Sequence, residues 1–197
     1  MLAVLDQLAV SFDLPILDWI QANLKNGFLN EVMPIITMFG DGGIFWIACA
    51  VILLCIPKTR KTGLGMAFAL IMGLIVCNVT LKPLVGRIRP YDFQEKLGVV
   101  IPLLTERMHD FSFPSGHTIA SFEAATVLLI NNKKLGIPAM ILAVLIAFSR
   151  LYLYVHYPTD VIFSVFAGIL FAFLGNWLAG KVMASFPGKK GKFEAES

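Results

Sequence analysis

Ser149 to Asp160 reads S-R-L-Y-L-Y-V-H-Y-P-T-D, which sets an arginine, a histidine and a carboxylate between the end of one long apolar segment and the start of the next. Ionisable groups at the edge of a membrane are costly to place there without a use. His156 and Asp160 are four residues apart, with Pro158 and Thr159 between them. Proline suits the first turn of a helix, so the two side chains come to one face. A carboxylate that accepts one ring N–H fixes the tautomer and leaves the other nitrogen free to attack an electrophile, which makes His156 a candidate nucleophile oriented by Asp160. The structural alternative is a hydrogen bond that merely closes a helix start.

Two further groups belong to the same face. Phe113-Pro114-Ser115-Gly116-His117 precedes an apolar helix. There Ser115 can cap the helix, Gly116 lets a ligand approach the backbone, and the free amides with the helix dipole favour an anion. A capped helix with an interfacial histidine would look the same. Lys82, Arg87, Arg89 and Arg150 concentrate positive charge where membrane topology disfavours it, so an anionic ligand is expected; singly, each could be an anchor snorkelling to headgroups. Glu123 lies six residues beyond His117, ~9 Å along the same helix, in an otherwise apolar run. An intramembrane acid usually has an interior partner, here expected to be one of those anion-binding cations or Asn78.

The elements that hold these residues are read from composition. Hydrophobic residues make up 57% of the 197 and charged ones 15%, against roughly 25% charged in soluble domains, so lipid is the solvent for most of the chain. Five strong segments follow one another: 42–57, 62–81, 118–132, 135–149 and 161–180. Each must be helical, since lipid offers no partner to the backbone. Residues 1–40 are interrupted by Asp6, Asp13, Asp18, Lys25 and Glu31. Leu14, Ile16, Leu17, Ile20 and Leu24 recur there at helical spacing beside Trp19, which predicts amphipathic helices at the interface, with a sixth span as the alternative for 28–39. The fold class is thus all-α: a polytopic transmembrane bundle over 41–183, after N-terminal interfacial helices over 1–40 and before a basic tail over 184–197.

Lys58, Arg60 and Lys61, then Lys133 and Lys134, then Lys181, Lys189, Lys190 and Lys192 mark alternate ends as cytoplasmic by the positive-inside rule. The connections 82–117 and 150–160 then share the extracytoplasmic face. No basic stripe interleaved with aromatics suggests nucleic acid. Cys49, Cys55 and Cys77 lie inside apolar runs, without disulfide or metal spacing, and no carboxylate cluster suggests a metal.

Lys82, six residues, Arg89-Pro90; P-S-G-H at 114–117; and Ser149-Arg150, five residues, His156, three residues, Asp160 together resemble the three-part signature of the type 2 phosphatidic acid phosphatase superfamily. All three blocks match at their defining positions, and the resemblance covers about residues 28–182. It implies that Lys82, Arg89, Arg150, Ser115 and the Gly116 amide hold phosphoryl oxygens. It also implies that His156 attacks phosphorus and Asp160 stabilises its imidazolium, while His117 protonates the leaving oxygen and then activates water. No cofactor is required. Arg87 lies outside the defining positions and is expected on a second phosphate or a headgroup. The loop 91–111 is the expected lid, and His109 is expected on its surface. The substrate implied is a lipid phosphate whose tail stays in the membrane, first undecaprenyl diphosphate, with phosphatidylglycerophosphate or phosphatidate as the rival. A binding or transport protein, or a phosphotransferase, is the alternative of another class.

Overall fold

The computed structural model describes residues 2–185. α1 (Leu2–Leu8) runs through a π-helical turn at Ala9–Asp13 into α2 (Leu14–Asn23). α3 (Gly27–Met38) begins where the Asn26 side chain accepts the Leu29 N–H at 3.0 Å, an N-cap that satisfies an otherwise orphaned donor. Between α3 and α4 (Ile44–Cys55), Gly42 and Gly43 take φ of +57° and +67°, a left-handed pair open to glycine at little cost. α5 (Arg60–Gly73) continues through a π-helical stretch, Leu74–Leu81, into α6 (Lys82–Val85); α7 (Pro90–Lys96) is short. After an irregular loop come α8 (Gly116–Asn131), α9 (Lys133–Tyr152) and α10 (Pro158–Ser185).

Four stretches are long and apolar enough to cross a membrane: Gly27–Cys55, Pro57–Lys96, Lys133–Tyr152 and Pro158–Ser185. Five were expected, and the difference lies in α8. It is 16 residues long and buries Thr118, Ile119 and every residue from Ser121 to Leu128, Glu123 included. With α5, α9 and α10 packed around it, α8 is the axis of the bundle rather than a wall facing lipid. The possible sixth span over 28–39 is α3, which joins α4 in the first stretch across the glycine kink. At 12 residues each, ~18 Å, either helix alone falls short of a ~30 Å core.

The outer walls are apolar. Ile52, Ile71, Leu74, Ile141, Val144, Phe166, Leu170 and Phe173 are all exposed, a belt untenable in water but ordinary against acyl chains. Close helix packing depends on small residues. A Cβ at Gly175 would lie 2.6 Å from the Gly65 carbonyl oxygen of α5, and one at Gly168 would lie 2.9 Å from that of Ile119 in α8. Those two contacts set α10 against its neighbours, and so set the start of α10 beside the start of α8.

The N-terminal stripe is used differently from the expectation. Leu14, Leu17 and Ile20 are buried against Tyr91 and the segment Tyr152–Tyr157, while Trp19 stays exposed. The Gln21 side chain donates to the Tyr152 carbonyl at 2.7 Å, and Tyr154 Oη donates to Asp18 at 2.6 Å. The apolar face of α2 therefore packs on the bundle, over the turn that carries His156.

Candidate active site

The turn between α9 and α10 is tightly determined. The amides of Val155 and His156 both donate to the Arg150 carbonyl, at 3.2 and 3.3 Å. Tyr154 sits at φ +60°, strained for a non-glycine residue and held by Asp18 and Gln94 on its hydroxyl. His156 is thereby buried with its Nε2 3.3 Å from Arg89 Nη1, which also donates to the Val155 carbonyl at 2.7 Å. Burial, then the positive charges of Arg89, Arg150 and Lys82, hold the His156 pKa well below its usual value. A neutral imidazole keeps the lone pair that a nucleophile needs.

Asp160 lies on the other side of that ring, its Oδ2 3.6 Å from His156 Nδ1. That is beyond a hydrogen bond, so the expectation that Asp160 accepts the ring N–H directly is corrected. Ser112 stands between them: its hydroxyl donates to Asp160 Oδ2 at 2.5 Å and lies 3.5 Å from His156 Nδ1. The Tyr157 amide also donates to Oδ2 at 3.1 Å. Oδ1 takes Arg87 Nη1 at 2.5 Å, and Arg87 Nη2 reaches Asp13 at 2.6 Å. Asp13 in turn accepts from the Thr159 amide and hydroxyl, at 2.9 and 2.8 Å. Arg87 is thus buried between two carboxylates and over the Tyr157 ring, 3.7 Å from its centroid. The expected contact of Arg87 with a second phosphate or a headgroup is corrected: both ends of its fork are taken, and it braces Asp160 from behind.

The remaining cations form a cup in front of His156. Arg150 is completely buried; it donates to Thr37 Oγ1 at 2.5 Å and to Met108 Sδ at 3.1 Å, and its Nε has no partner among the described residues. A buried guanidinium without a carboxylate is costly unless an anion completes it. Lys82 and Arg89 both pair with Asp110, at 2.5 Å.

The first turn of α8 closes the cup, where the opening amides have no helical carbonyl to bond. Ser115 stands at the N-cap position without capping: its hydroxyl accepts from Thr118 Oγ1 at 3.0 Å, and its amide donates to Ser164 Oγ at 2.9 Å. The side-chain cap expected of it is therefore corrected. A Cβ at Gly116 would lie 3.1 Å from Asn78 Oδ1, so the approach expected there is tight. His117 Nε2 meets Asp41 at 2.7 Å, and its ring lies on Gly40, where a Cβ would come within 2.6 Å.

A cavity of about 510 Å³ runs from these groups along apolar side chains of the bundle. Lys82, Arg89, His117 and His156 line its polar end; Ile47, Val51, Leu54, Leu70 and Leu74 line the remainder, between α4 and α5. Glu123 faces it midway, buried, with Oε1 unpartnered among the described residues. Its carboxyl packs on Gly73, where any Cβ would collide with it. The expected contacts with a cationic phosphate ligand or with Asn78 are absent among the described residues, so that expectation is corrected too. His109 is exposed. Among the described residues no group of three His, Cys, Asp or Glu side chains converges as metal ligands would.

A family model described as the PAP2 superfamily matches residues 62–184. The chain belongs to the PAP2 superfamily. As a PAP2 protein it is a membrane lipid phosphatase. It is 34% identical, over 77% of its length and 68% of the relative's, to an undecaprenyl-diphosphatase of Sulfolobus acidocaldarius. It is 32% identical, over 77% and 75%, to phosphatidylglycerophosphatase B of Bacillus subtilis. The crystal structure of a transmembrane PAP2-type phosphatidylglycerolphosphate phosphatase from Bacillus subtilis superposes with a TM-score of 0.64, at 29% identity over 80% of each chain.

All three sequence blocks of this PAP2 chain meet at one end of the bundle, around the polar end of the cavity. Sequence reasoning missed their partners: Asp13, Thr37, Asp41, Asp110, Ser112 and Ser164. Only Asp110 and Ser112 carried a signal, since each lies within seven residues of His117, Asp110 in the loop read as a lid and Ser112 just after it. Asp13 and Asp41 belong to no chemical motif in the sequence.

Proposed function

We propose that this chain hydrolyses undecaprenyl diphosphate to undecaprenyl phosphate and inorganic phosphate. His156 Nε2 attacks the terminal phosphorus, and the bond from that phosphorus to the bridging oxygen breaks. Protonated His117 gives its proton to the departing lipid phosphate. Arg89, Arg150, Lys82 and the amides at the start of α8 stabilise the charge on the three equatorial oxygens. Asp160 and Ser112 hold the imidazole from its Nδ1 side as it becomes positive. Neutral His117 then takes a proton from water, whose oxygen attacks the phosphohistidine, and the P–N bond breaks to restore His156.

The observation that carries this reading is the buried His156 set beside three cations, at the polar end of a cavity whose other walls are apolar. The undecaprenyl-diphosphatase relative supports the choice of substrate. The phosphatidylglycerophosphatase relative favours a second reading, in which the same machinery takes phosphatidylglycerophosphate. Lys61 lies near Gly180 and Lys181 at the far end of the bundle, so positive charge gathers opposite the site. This supports an extracytoplasmic active site, with α1 and α2 at the same interface. The basic tail expected over 184–197 falls almost wholly outside the described residues.

Phosphate release is to be measured from a panel of detergent-solubilised lipid phosphates with EDTA present, alongside acid-labile labelling of the protein by substrate. Turnover with labelling lost in His156→Ala is expected. No release from any lipid, with His156→Ala behaving like the parent, would leave a binding or transport protein; transfer to an acceptor alcohol in preference to water would make it a phosphotransferase.

A further inference from the structure

The cup already holds an anion of the chain's own. Asp110 sets one carboxylate oxygen on Lys82 Nζ and the other on Arg89 Nη2, both at 2.5 Å, and its backbone carbonyl accepts from Arg89 Nε at 3.0 Å. Two oxygens of one anion bridging two cations is the arrangement a phosphoryl group would adopt on the same nitrogens. The carboxylate enters from the mouth, with its side chain 52% exposed, whereas that of Arg89 is 2% exposed.

The backbone on both sides is fixed. The Met108 amide meets Tyr91 Oη at 3.1 Å, and the Ser112 amide donates to the Arg87 carbonyl at 2.7 Å. Asp110 can therefore leave the cations by rotating its own side chain, with the loop in place. Partial burial pushes its carboxyl pKa up, but Lys82 and Arg89 outweigh that and hold it down at about 2. It stays charged throughout the physiological range, so another anion, and not a proton, displaces it.

We infer that Asp110 is a specificity-determining residue, a resident competitor that weakens the site for phosphate as such and confines turnover to phosphates carried on a lipid. A free phosphate at these nitrogens exchanges one anion for another. A lipid phosphate arrives from the bilayer, tethered and at high effective concentration, with its chain in the apolar part of the cavity. Once hydrolysis has cut that tether, the returning carboxylate expels the inorganic phosphate. The consequence for turnover rests on the phosphatase reading above; the competition for the cations does not.

The test is equilibrium binding of inorganic phosphate to the purified full chain in detergent, by titration calorimetry, for the parent, Asp110→Asn and Asp110→Ser. Both substitutions remove the anion at a half-exposed position, so the fold is expected to hold, and thermal unfolding checks it. Phosphate binding tightens about tenfold in both, the scale of a lost charge-assisted contact, while Asp110→Glu, which keeps an anion, stays near the parent. In hydrolysis, kcat/KM for p-nitrophenyl phosphate rises by a similar factor relative to that for the lipid substrate. Folded variants whose phosphate affinity is unchanged or weaker overturn the proposal. Tighter phosphate binding without release from any lipid would retain the competitor and remove the hydrolase reading; lipid hydrolysis with unchanged phosphate affinity would do the reverse.

Discussion

Asp13→Asn is the substitution that most directly tests how the catalytic turn is held. Asp13 lies 147 positions before Asp160 in the chain, and its side chain and that of Arg87 are 0% and 3% exposed. Removing one partner of a buried ion pair costs about 3–5 kcal/mol, because the surviving charge stays buried. Asparagine still offers an oxygen to the Thr159 amide, so the charge is the main loss. For a chain of this size the change corresponds to a fall in Tm of about 6–20 °C. Arg87 then keeps Asp160 as its one carboxylate, beside Thr159 Oγ1, and pulls it away from Ser112 and His156. Misplacement of a catalytic group on the ångström scale costs up to about 100-fold in rate, so kcat falls about 10–100-fold with KM little changed, since no phosphate ligand is touched. The assay is phosphate release under saturating lipid, with differential scanning fluorimetry on the same preparation. In the double variant Asp13→Asn/Arg87→Met the two losses of Tm should not add, a coupling that two independent or merely misfolded sites would not show. A Tm within 2 °C of the parent and a kcat within twofold would refute the reasoning.

Other expectations follow from the same contacts. Because the His156 pKa lies below its usual value, the ring is neutral above about 6.5 and activity is lost only as pH falls further; a kcat/KM profile whose acid limb sits above that value and vanishes in Asp160→Asn would contradict the assignment. Ser112→Ala removes the hydroxyl between Asp160 and His156 and should lower kcat about tenfold without raising KM, on the scale of one lost charge-assisted hydrogen bond; a selective KM effect in steady-state kinetics would place Ser112 on the substrate instead. Gly73→Ala should destabilise by about 1–3 kcal/mol through overpacking on the Glu123 carboxyl, and Glu123→Ala should restore the Tm; failure of that rescue would mean that the two do not share the space.

What could be read from the chain alone was what repeats locally. The four-residue step from His156 to Asp160, the glycine beside Ser115 and the apolar runs are all properties of neighbours in sequence, and the bundle gathers the first two at one end, with Asp160 stopping 3.6 Å from the His156 ring. Partners arriving from far away left no such trace. Asp13 looked like one of several charges interrupting an amphipathic stretch, and only the folded chain brings it to Thr159. Arg87 read as a free cation because its two carboxylates lie 74 and 73 positions off. The surroundings of α8 were misjudged for a related reason: an apolar run reads the same whether its residues face lipid or other helices, and Thr118, Ser121 and Glu123 were the hint that this one faces inward.

The Asp13–Arg87–Asp160 clasp also has a consequence for how the protein is made. Its members come from the first helices, the middle of the chain and the last span, so a ribosome delivers them at widely separated times. Until α10 has been made, Arg87 has only one of its two carboxylates, Asp13, and Asp160 has not reached His156. On the proposed chemistry the site is therefore incomplete for most of the chain's synthesis, and the final helix is the part that completes it.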